Sequence, residues 1–323
     1  MQKIVPDGQR RTLAQLDDRL NFSVGDPGAK RSAFWVMLTL SAVIAVAGVV
    51  GDSTATVIGA MIVAPLSTPI LGVGLGITTG HGRLIGQSLL YVAAGIVLVV
   101  VLGAVFAQVL PNPGNVLTNS QVLGRTSPTL MDLAAALATG LVGAIAIARK
   151  DVGDVLPGVA IAISLVPPLA VVGVCLGSGA PSLAVGAFVL FASNVVAMVI
   201  TATAVLVAAG YTREIESGTG PHRRRAYIVL AVVLLMVAIP MVVNTLSSVW
   251  ARQINTAAEQ WLAGTPGAEV TDVTWQGGTA TVAVLGPETL PPLGELEHSV
   301  DALIPWNPDV QVVHTVGTRL VAN

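Results

Sequence analysis

The stretch GAMIVAPLSTPILGVGLG at residues 59–76 decides the fold, because it is an apolar segment that prolines interrupt near its middle. A second segment of the same kind, GVAIAISLVPPLAVVGVC, occupies residues 158–175. A shift of 99 residues superimposes the two segments and places Pro69 on Pro168. Duplicated, interrupted membrane helices are typical of transporters, in which both copies contribute to one site near the bilayer midplane.

The composition is that of an integral membrane protein. Hydrophobic residues make up 53% of the 323 residues and charged residues only 11%, and the mean hydropathy is +0.78. A soluble domain carries about 25% charged residues. The apolar runs reach the roughly 20 residues that a transmembrane helix needs, and they lack the alternation typical of a β-barrel. The net charge of −2, with no basic stripe outside the membrane flanks, argues against a nucleic-acid partner.

Changes between polar and apolar composition divide the chain into seven parts. We predict a mainly α protein: a polytopic membrane helix bundle of about seven helices, plus a small C-terminal α+β domain. In chain order, the parts are a polar leader (1–32), membrane repeat 1 (33–109), an external loop (110–128), membrane repeat 2 (129–209), a basic loop (210–225), a seventh transmembrane helix (226–250) and the small domain (251–323).

The two halves of the membrane region are repeats. The 99-residue shift maps the three apolar segments of residues 33–109 onto those of residues 132–208 without a gap, and the proline-broken segment is second in each half. Three crossings in each half make the second half enter the membrane from the opposite side. The bundle is therefore predicted to be built on inverted three-helix repeats with proline-broken second helices.

Basic residues at the segment ends decide the orientation. If all seven segments cross, the leader, Arg83, Arg149, Lys150 and the cluster at 213–225 share one side. That side is cytoplasmic by the positive-inside rule, and the C-terminal domain is then extracytoplasmic. Re-entrant hairpins at the two broken segments would place several of these basic residues outside, so the charge bias favours crossing.

The proline breaks define the candidate site. Proline removes an amide donor and frees a carbonyl one turn earlier, and freed groups in hydrocarbon need protein, water or a ligand. Freed carbonyls and hydroxyls suit a cation or polar solute, whereas the ends of the following half-helices attract an anion. A plain kink, repaired within the helix, is the alternative. The candidate solute- or ion-binding residues are Pro65, Ser67, Thr68, Pro69, Ser164, Pro167, Pro168 and, in another segment, Asn194.

Charged residues are confined to the segment ends. Asp52 and Asp151 precede the two broken segments, where each would guard an entrance or cap a helix. A buried proton-relay carboxylate is absent from the sequence, which favours a neutral solute or an ion held by carbonyl dipoles. No hydrolase triad, zinc ligand set, P-loop or dinucleotide fingerprint occurs, so we expect no enzymatic activity, no metal and no cofactor.

The C-terminal domain has the element order αββαβ. Its alternating stretches predict strands, and the exposed edges of an antiparallel sheet favour self-association into a homo-oligomer. The predicted elements are a helix at 251–263, strands at 269–276 and 279–285 joined by Gly277-Gly278, a helix at 293–304 and a strand at 309–321.

The membrane motifs resemble the domain-of-unknown-function-389 family of bacterial membrane proteins. The resemblance rests on DSTATVIGAMIVAPLSTPILGVGLG (52–76), DVLPGVAIAISLVPPLAVVGVCLG (154–177) and FASNVVAMV (191–199), and it covers about residues 33–210. It implies a multi-pass protein of the bacterial cell membrane, and it implies no activity.

Two functions fit these observations. The first is a secondary transporter or channel-like protein for a small solute or ion, with its site at the two broken helices. The alternative is a non-transporting membrane scaffold or sensor, whose external C-terminal domain binds a ligand, lipid or partner protein. Both place the chain in the lipid bilayer.

Overall fold

The structure, a computed structural model, describes residues 5–109, 118–152, 165–213, 220–276, 279–304 and 308–317. The first half of the second broken segment lies outside these ranges, as do parts of the predicted external and basic loops. The chain forms two compact units, Met1–Met241 and Val242–Asn323. The first is helical and the second contains a small sheet, as the sequence predicts.

The first unit has helices in both predicted membrane repeats and two further short helices, one in the predicted leader and one in the predicted external loop. They are α1 (Leu13–Leu20), α2 (Pro27–Val50), α3 (Thr54–Val63), α4 (Ser67–Thr79), α5 (Gly82–Val109), α6 (Ser120–Thr126), α7 (Leu130–Ala148), α8 (Val166–Gly177) and α9 (Pro181–Ala208), and α10 (Gly220–Leu262) continues into the second unit.

Five of these helices are long and apolar enough to cross a membrane: α2, α5, α7, α9 and the Leu230–Leu262 part of α10. The pair α3 and α4 passes the same test together but is bent by 48°, and α8 is a shorter apolar helix. The count of seven spans stays a prediction, because residues 153–164 lie outside the described ranges.

The two short helices α4 and α8 form the centre of the first unit. Every residue from Pro69 to Thr79 is buried, and so is every residue from Val166 to Cys175. A helix that is apolar on all sides belongs in a core. The longer helices α5 and α9 instead present exposed apolar side chains, as lipid-facing helices do; Leu90 is 68% exposed and Val185 is 64% exposed.

Part of the helix packing is the same in the two halves. The helices α5 and α9 each pack against both α4 and α8, while α2 packs on α5 and α7 packs on α9. In addition, α8 contacts α3, so the described parts of the two proline-interrupted segments touch. The short helices are therefore enclosed between α5 and α9.

The described part of the leader packs into this unit. Thr12 and Gln15 form a capping box at the start of α1, and the buried Leu16 and Leu20 face inward. The helix packs on α4, and a small cavity of about 280 Å³ lies between α1 and the α4–α5 turn, lined by residues that include Asp17 and His81.

The second unit contains β1 (Glu269–Gln276), β2 (Thr279–Gly286), α11 (Leu293–Leu303) and β3 (Asp309–Val316), packed with the end of α10. The strand order is β1-β2-β3, with β1 and β2 antiparallel as predicted. The prediction of a wholly antiparallel sheet is wrong, because β2 and β3 are parallel. The connection between them contains α11, and a helical crossover returns the chain in the same direction.

Candidate functional site at the interrupted helices

The first proline pair separates two helices. The helix α3 ends at Val63, and Ala64 is extended with φ −67° and ψ 122°. The helix α4 begins at Ser67 after Leu66, and no side chain caps its N-terminus. Neither Pro65 nor Pro69 can donate an amide hydrogen bond, so the backbone here is interrupted as their chemistry requires.

The predicted site residues of this segment lie at the junction. The residues Pro65, Ser67 and Thr68 are half-buried, whereas Pro69 is buried. The side chain of Leu66 fills the junction and packs on Gly95 of α5, where an added Cβ would lie 2.9 Å from its Cδ2 atom. The structure thus places two hydroxyls beside the break and a buried leucine side chain between the ends of the two helices.

A serine that the sequence analysis missed satisfies part of the break. The hydroxyl of Ser41 in α2 donates a 2.8 Å hydrogen bond to the carbonyl of Ala60, in the last turn of α3. The last carbonyls of a helix lack partners within it, so this bond replaces a missing one. A single serine in an apolar helix gives no sequence signal for such a partner. The repair expected for a plain kink is therefore present at one carbonyl.

The second break is described on one side. The helix α8 follows Leu165, has Pro167 in its first turn and has no side-chain cap. Both Pro167 and Pro168 are buried. The predicted residue Ser164 lies outside the described residues, so the two breaks are compared below through α4 and α8.

Glycines in α4 and α8 make reciprocal contacts across the two halves. A Cβ added to Gly173 would lie 2.8 Å from Gly103 Cα and would also meet Val100 O and Ala104 N of α5. The counterpart of Gly173 under the 99-residue shift is Gly74. Its three nearest atoms belong to the counterparts of those three residues on α9, namely Val199 O, Ala202 Cβ and Thr203 N.

In each of these two contacts, a short helix of one half packs on a long helix of the other half. The helix α4 of the first half packs on α9 of the second, and α8 of the second half packs on α5 of the first. Gly173 leaves no room for a side chain against α5, and Gly74 is nearly as close to α9, which is how small residues let membrane helices approach.

Asn194 lies on α9, which packs against both short helices, and it is only 5% exposed. The 99-residue shift places Asn194 on Gly95, the residue that contacts Leu66 at the first break. By the same register we expect Asn194 to lie beside Leu165 at the second break. A buried amide at this depth requires polar partners.

The carboxylate of Asp52 joins the α2–α3 turn to α6. It accepts hydrogen bonds from the Ser120 hydroxyl at 2.6 Å and from the Gln121 amide at 3.2 Å. The Ser120 hydroxyl is the main cause that lowers the Asp52 pKa. Asp52 has φ 48°, a conformation that few residues other than glycine adopt. The N-cap of α3 is Ser53, so the capping role considered for Asp52 is wrong by one residue.

A small polar network continues from this contact. The side chain of Gln121 is 5% exposed; it donates to the Thr54 hydroxyl at 2.8 Å and accepts from Arg125 Nη1 at 3.1 Å. Desolvation lowers the Arg125 pKa. The contacts of Ser120 and Gln121 with Asp52 and Thr54 had no periodic or motif signal in the sequence, because they join residues almost 70 positions apart.

Asp151, the other predicted acid, follows the C-terminus of α7, where the chain contacts the leader. Asp151 accepts two hydrogen bonds from Arg149, at 2.9 and 2.5 Å, and this pairing lowers the Asp151 pKa. Arg149 in turn pairs with Arg10 in an isolated antiparallel bridge. Its flanking bonds run from Arg11 N to Ala148 O at 2.9 Å and from Lys150 N to Gln9 O at 2.7 Å.

The comparisons with known proteins agree with the motif resemblance. The sequence model of the family described as "Domain of unknown function (DUF389)" matches residues 61–200, which include every predicted binding residue. Over 175 residues the chain is 32% identical to "Uncharacterized protein MJ0678" of Methanocaldococcus jannaschii. The alignment covers 54% of this chain and 53% of that protein, so the chain spans about half the length of this curated relative. No solved structure matches.

Proposed function

We propose from its geometry that this chain, whose match to the DUF389 model at residues 61–200 assigns no activity, is a non-enzymatic secondary transporter or channel-like membrane protein for a small solute or ion. The site in this proposal lies at the two proline breaks, between α5 and α9. The single observation that carries it is the reciprocal packing of Gly74 on α9 and Gly173 on α5.

Reciprocal packing supports inverted repeats. The contact of α4 with the third helix of the other half, and of α8 with the third helix of the first half, favours a two-fold rotation as the operation that relates the halves. A two-fold axis in the membrane plane is what inverted three-helix repeats require, and such repeats place substrate sites at their interface. The matching atoms around the two glycines support the same register of 99 residues that the sequence predicts.

The contacts at the ends of the segments support crossing rather than a re-entrant hairpin. The α2–α3 turn contacts α6 through Asp52, whereas the far end of α4 lies beside α1, near the start of α2. The 24 residues of α2 separate these ends by roughly 36 Å, more than the ~30 Å of the hydrocarbon core. In this proposal the leader is cytoplasmic and α6 is extracytoplasmic.

The chemistry of the breaks limits the solute. In the candidate spans α2, α5, α7 and α9, charged side chains occur only in the first two turns, as at Lys30, Arg83 and Asp132. The groups near the breaks are backbone carbonyls, the hydroxyls of Ser67 and Thr68, and the Asn194 amide. Such a set suits a neutral polar solute or an ion that carbonyl dipoles hold.

Reconstituted protein tests this proposal. Proteoliposomes would be exposed to gradients of glycerol and urea as neutral probes and of KCl as the ionic probe, and their volume change followed by stopped-flow light scattering. We expect permeation of at least one probe above protein-free vesicles. We expect Pro69→Ala and Pro168→Ala to change that rate, because each restores a backbone donor at a break.

The control is Pro181→Ala, which changes a proline at the start of α9 and away from both breaks. If Pro69→Ala and Pro168→Ala have the same flux as the wild type and Pro181→Ala, the breaks have no part in the mechanism. No flux of any probe by monodisperse, folded protein would favour the scaffold or sensor alternative. That alternative has support in the separate hydrophobic core of the second unit, built on residues such as Ile254, Val282 and Val300.

A further inference from the structure

The two edges of the C-terminal sheet differ in their protection. Proteins guard exposed edges with charges, prolines and bulges. The edge strand β1 carries Glu269 and Asp272 and has an irregular register between Val270 and Asp272. The edge strand β3, DVQVVHTV, keeps a continuous register with β2 over eight residues, contains no lysine or proline, and carries its one acid at its first position. β3 is therefore the open edge.

The direction of the backbone groups on β3 follows from its pairing. Gly317, which comes directly after β3, donates its amide to Gly286 O at 3.1 Å. Amides alternate sides along a strand, so those at even-numbered positions such as Val312 and His314 point away from β2. The side chains of Val313 and Val316 are 54% and 63% exposed. Among the described residues the sheet has three strands, so no described strand pairs with these outward amides.

We propose that β3 pairs with β3 of a second copy of this chain, in an antiparallel six-stranded sheet of order β1-β2-β3-β3-β2-β1. A second copy fits because α10, whose apolar part is a candidate span, ends in the core of this unit. Copies tethered to one membrane by such a helix share a plane, which raises their effective concentration. A two-fold axis that runs perpendicular to the paired edge strands makes them antiparallel.

The charges on β1 favour pairing through β3, and the exposed valines of β3 favour one alignment of the two copies. The corresponding pairing of β1 with β1 would bring Glu269 and Asp272 close to their own copies, and like charges across strands are destabilising. On β3, placing Val313 opposite Val313 gathers the exposed valines. His314 of each copy would then donate its amide to Val312 O of the other, because these groups point outward.

Disulfide formation tests the alignment in the full chain. On a Cys175→Ser background, which removes the one native thiol, Val313→Cys would be oxidised in membranes with copper phenanthroline. Residues opposite each other in such a non-hydrogen-bonded pair lie about 4.5 Å apart between Cα atoms, within disulfide range. The control is Thr281→Cys on β2, which has a strand on each side. We expect the dimer band of Val313→Cys to form at least about tenfold faster.

A backbone substitution tests whether this edge holds the copies together. His314→Pro removes an outward amide and leaves the β2 ladder intact, whereas His314→Ala keeps the amide and removes only the side chain. We expect light scattering of the purified protein to give a dimer for wild type and His314→Ala and a monomer for His314→Pro. If tryptophan fluorescence shows that His314→Pro does not fold, Val313→Lys is used instead, since the Val313 side chain is exposed.

Three results would overturn the proposal: a monomeric wild type, a dimer that His314→Pro and Val313→Lys leave unchanged, or equal cross-linking of Thr281→Cys. The proposal is independent of transport. None of these measurements uses solute flux, so their failure would leave the proposed function untouched, and a failed flux assay would leave the dimer edge untouched.

Discussion

Replacing Gly173 by alanine should destabilise the protein, because the reciprocal packing leaves no space for a methyl group. The new Cβ would meet backbone atoms of α5, including Gly103 Cα at 2.8 Å and Ala104 N at 3.1 Å. Ordinary contacts of a Cβ atom begin near 3.4 Å, so α5 would have to move by more than half an ångström. Overpacking of this kind costs about 1–3 kcal/mol.

Helix propensity works in the opposite direction. Alanine is favoured over glycine inside a helix by about 1 kcal/mol. We therefore expect Gly173→Ala to lower the free energy of unfolding by a net amount of up to ~2 kcal/mol. Gly74→Ala should cost less, since its closest neighbour is the Ala202 side chain at 2.7 Å and the backbone atoms lie at 3.4 Å or beyond. Gly59→Ala is the control, because nothing lies within 4 Å of its added Cβ, and it should be neutral or stabilising.

Reversible unfolding in mixed micelles, followed by the fluorescence of the five tryptophans, measures these differences. The expected order of stability is Gly59→Ala above Gly74→Ala above Gly173→Ala. Gly103→Ala combined with Gly173→Ala should be non-additive, because both methyl groups compete for one space. A Gly173→Ala protein as stable as Gly59→Ala would refute the close approach of α8 and α5 and, with it, the support for the two-fold relation.

Three further predictions concern the ends of the bundle and the first break. The folded-state pKa of Asp52 is lowered from 3.8, so the stabilising contact of its carboxylate with α6 should be lost as the pH falls through that lowered pKa. Hydrogen exchange of the α6 amides, corrected for the intrinsic rate, should then rise in the wild type, and Asp52→Asn should show the same rise already at pH 7. Ser41→Ala should lower the free energy of unfolding by ~1–3 kcal/mol, measured as above, because a buried carbonyl loses its donor. On a thiol-free background, Arg10→Cys with Arg149→Cys should cross-link readily, whereas Arg11→Cys with Arg149→Cys should not, because adjacent residues of an extended segment point to opposite faces.

The membrane helices could be predicted from the sequence because their signals are local. Apolar length, proline and turn residues depend on a few neighbouring positions, so α5 and α7 lie within the predicted repeats at 33–109 and 129–209, and α2 begins shortly before the first of them. The parallel pairing of β2 and β3 also had a signal. More than twenty residues, including a helical pattern, separate the two strands, and a connection of that length suits a crossover. Alternation alone does not distinguish parallel from antiparallel pairs.

The contacts around the candidate site could not be predicted in the same way. Asp52 and Ser53 are both good N-cap residues, and only the three-dimensional chain decides that Ser53 caps α3 while Asp52 turns to α6. Ser41 is one hydroxyl in an apolar helix, and its value depends on which carbonyl the break leaves without a donor. Both outcomes are set by tertiary packing, which competes with local preference at every helix end.

Under the proposed function, the positions at which the two halves differ are those that would contact a solute asymmetrically. The 99-residue shift pairs Gly74 with Gly173 and Pro69 with Pro168, and these shared residues serve packing and the break, which both halves need. The polar residues are not shared: the shift places Ser41 on Gly140, Asn194 on Gly95 and Thr68 on Pro167. A solute on a pseudo-two-fold axis is itself rarely symmetric, and it requires different partners from each half. Under the proposed function, the shared residues would maintain the two breaks, and the unequally distributed polar groups would distinguish one orientation of a bound solute.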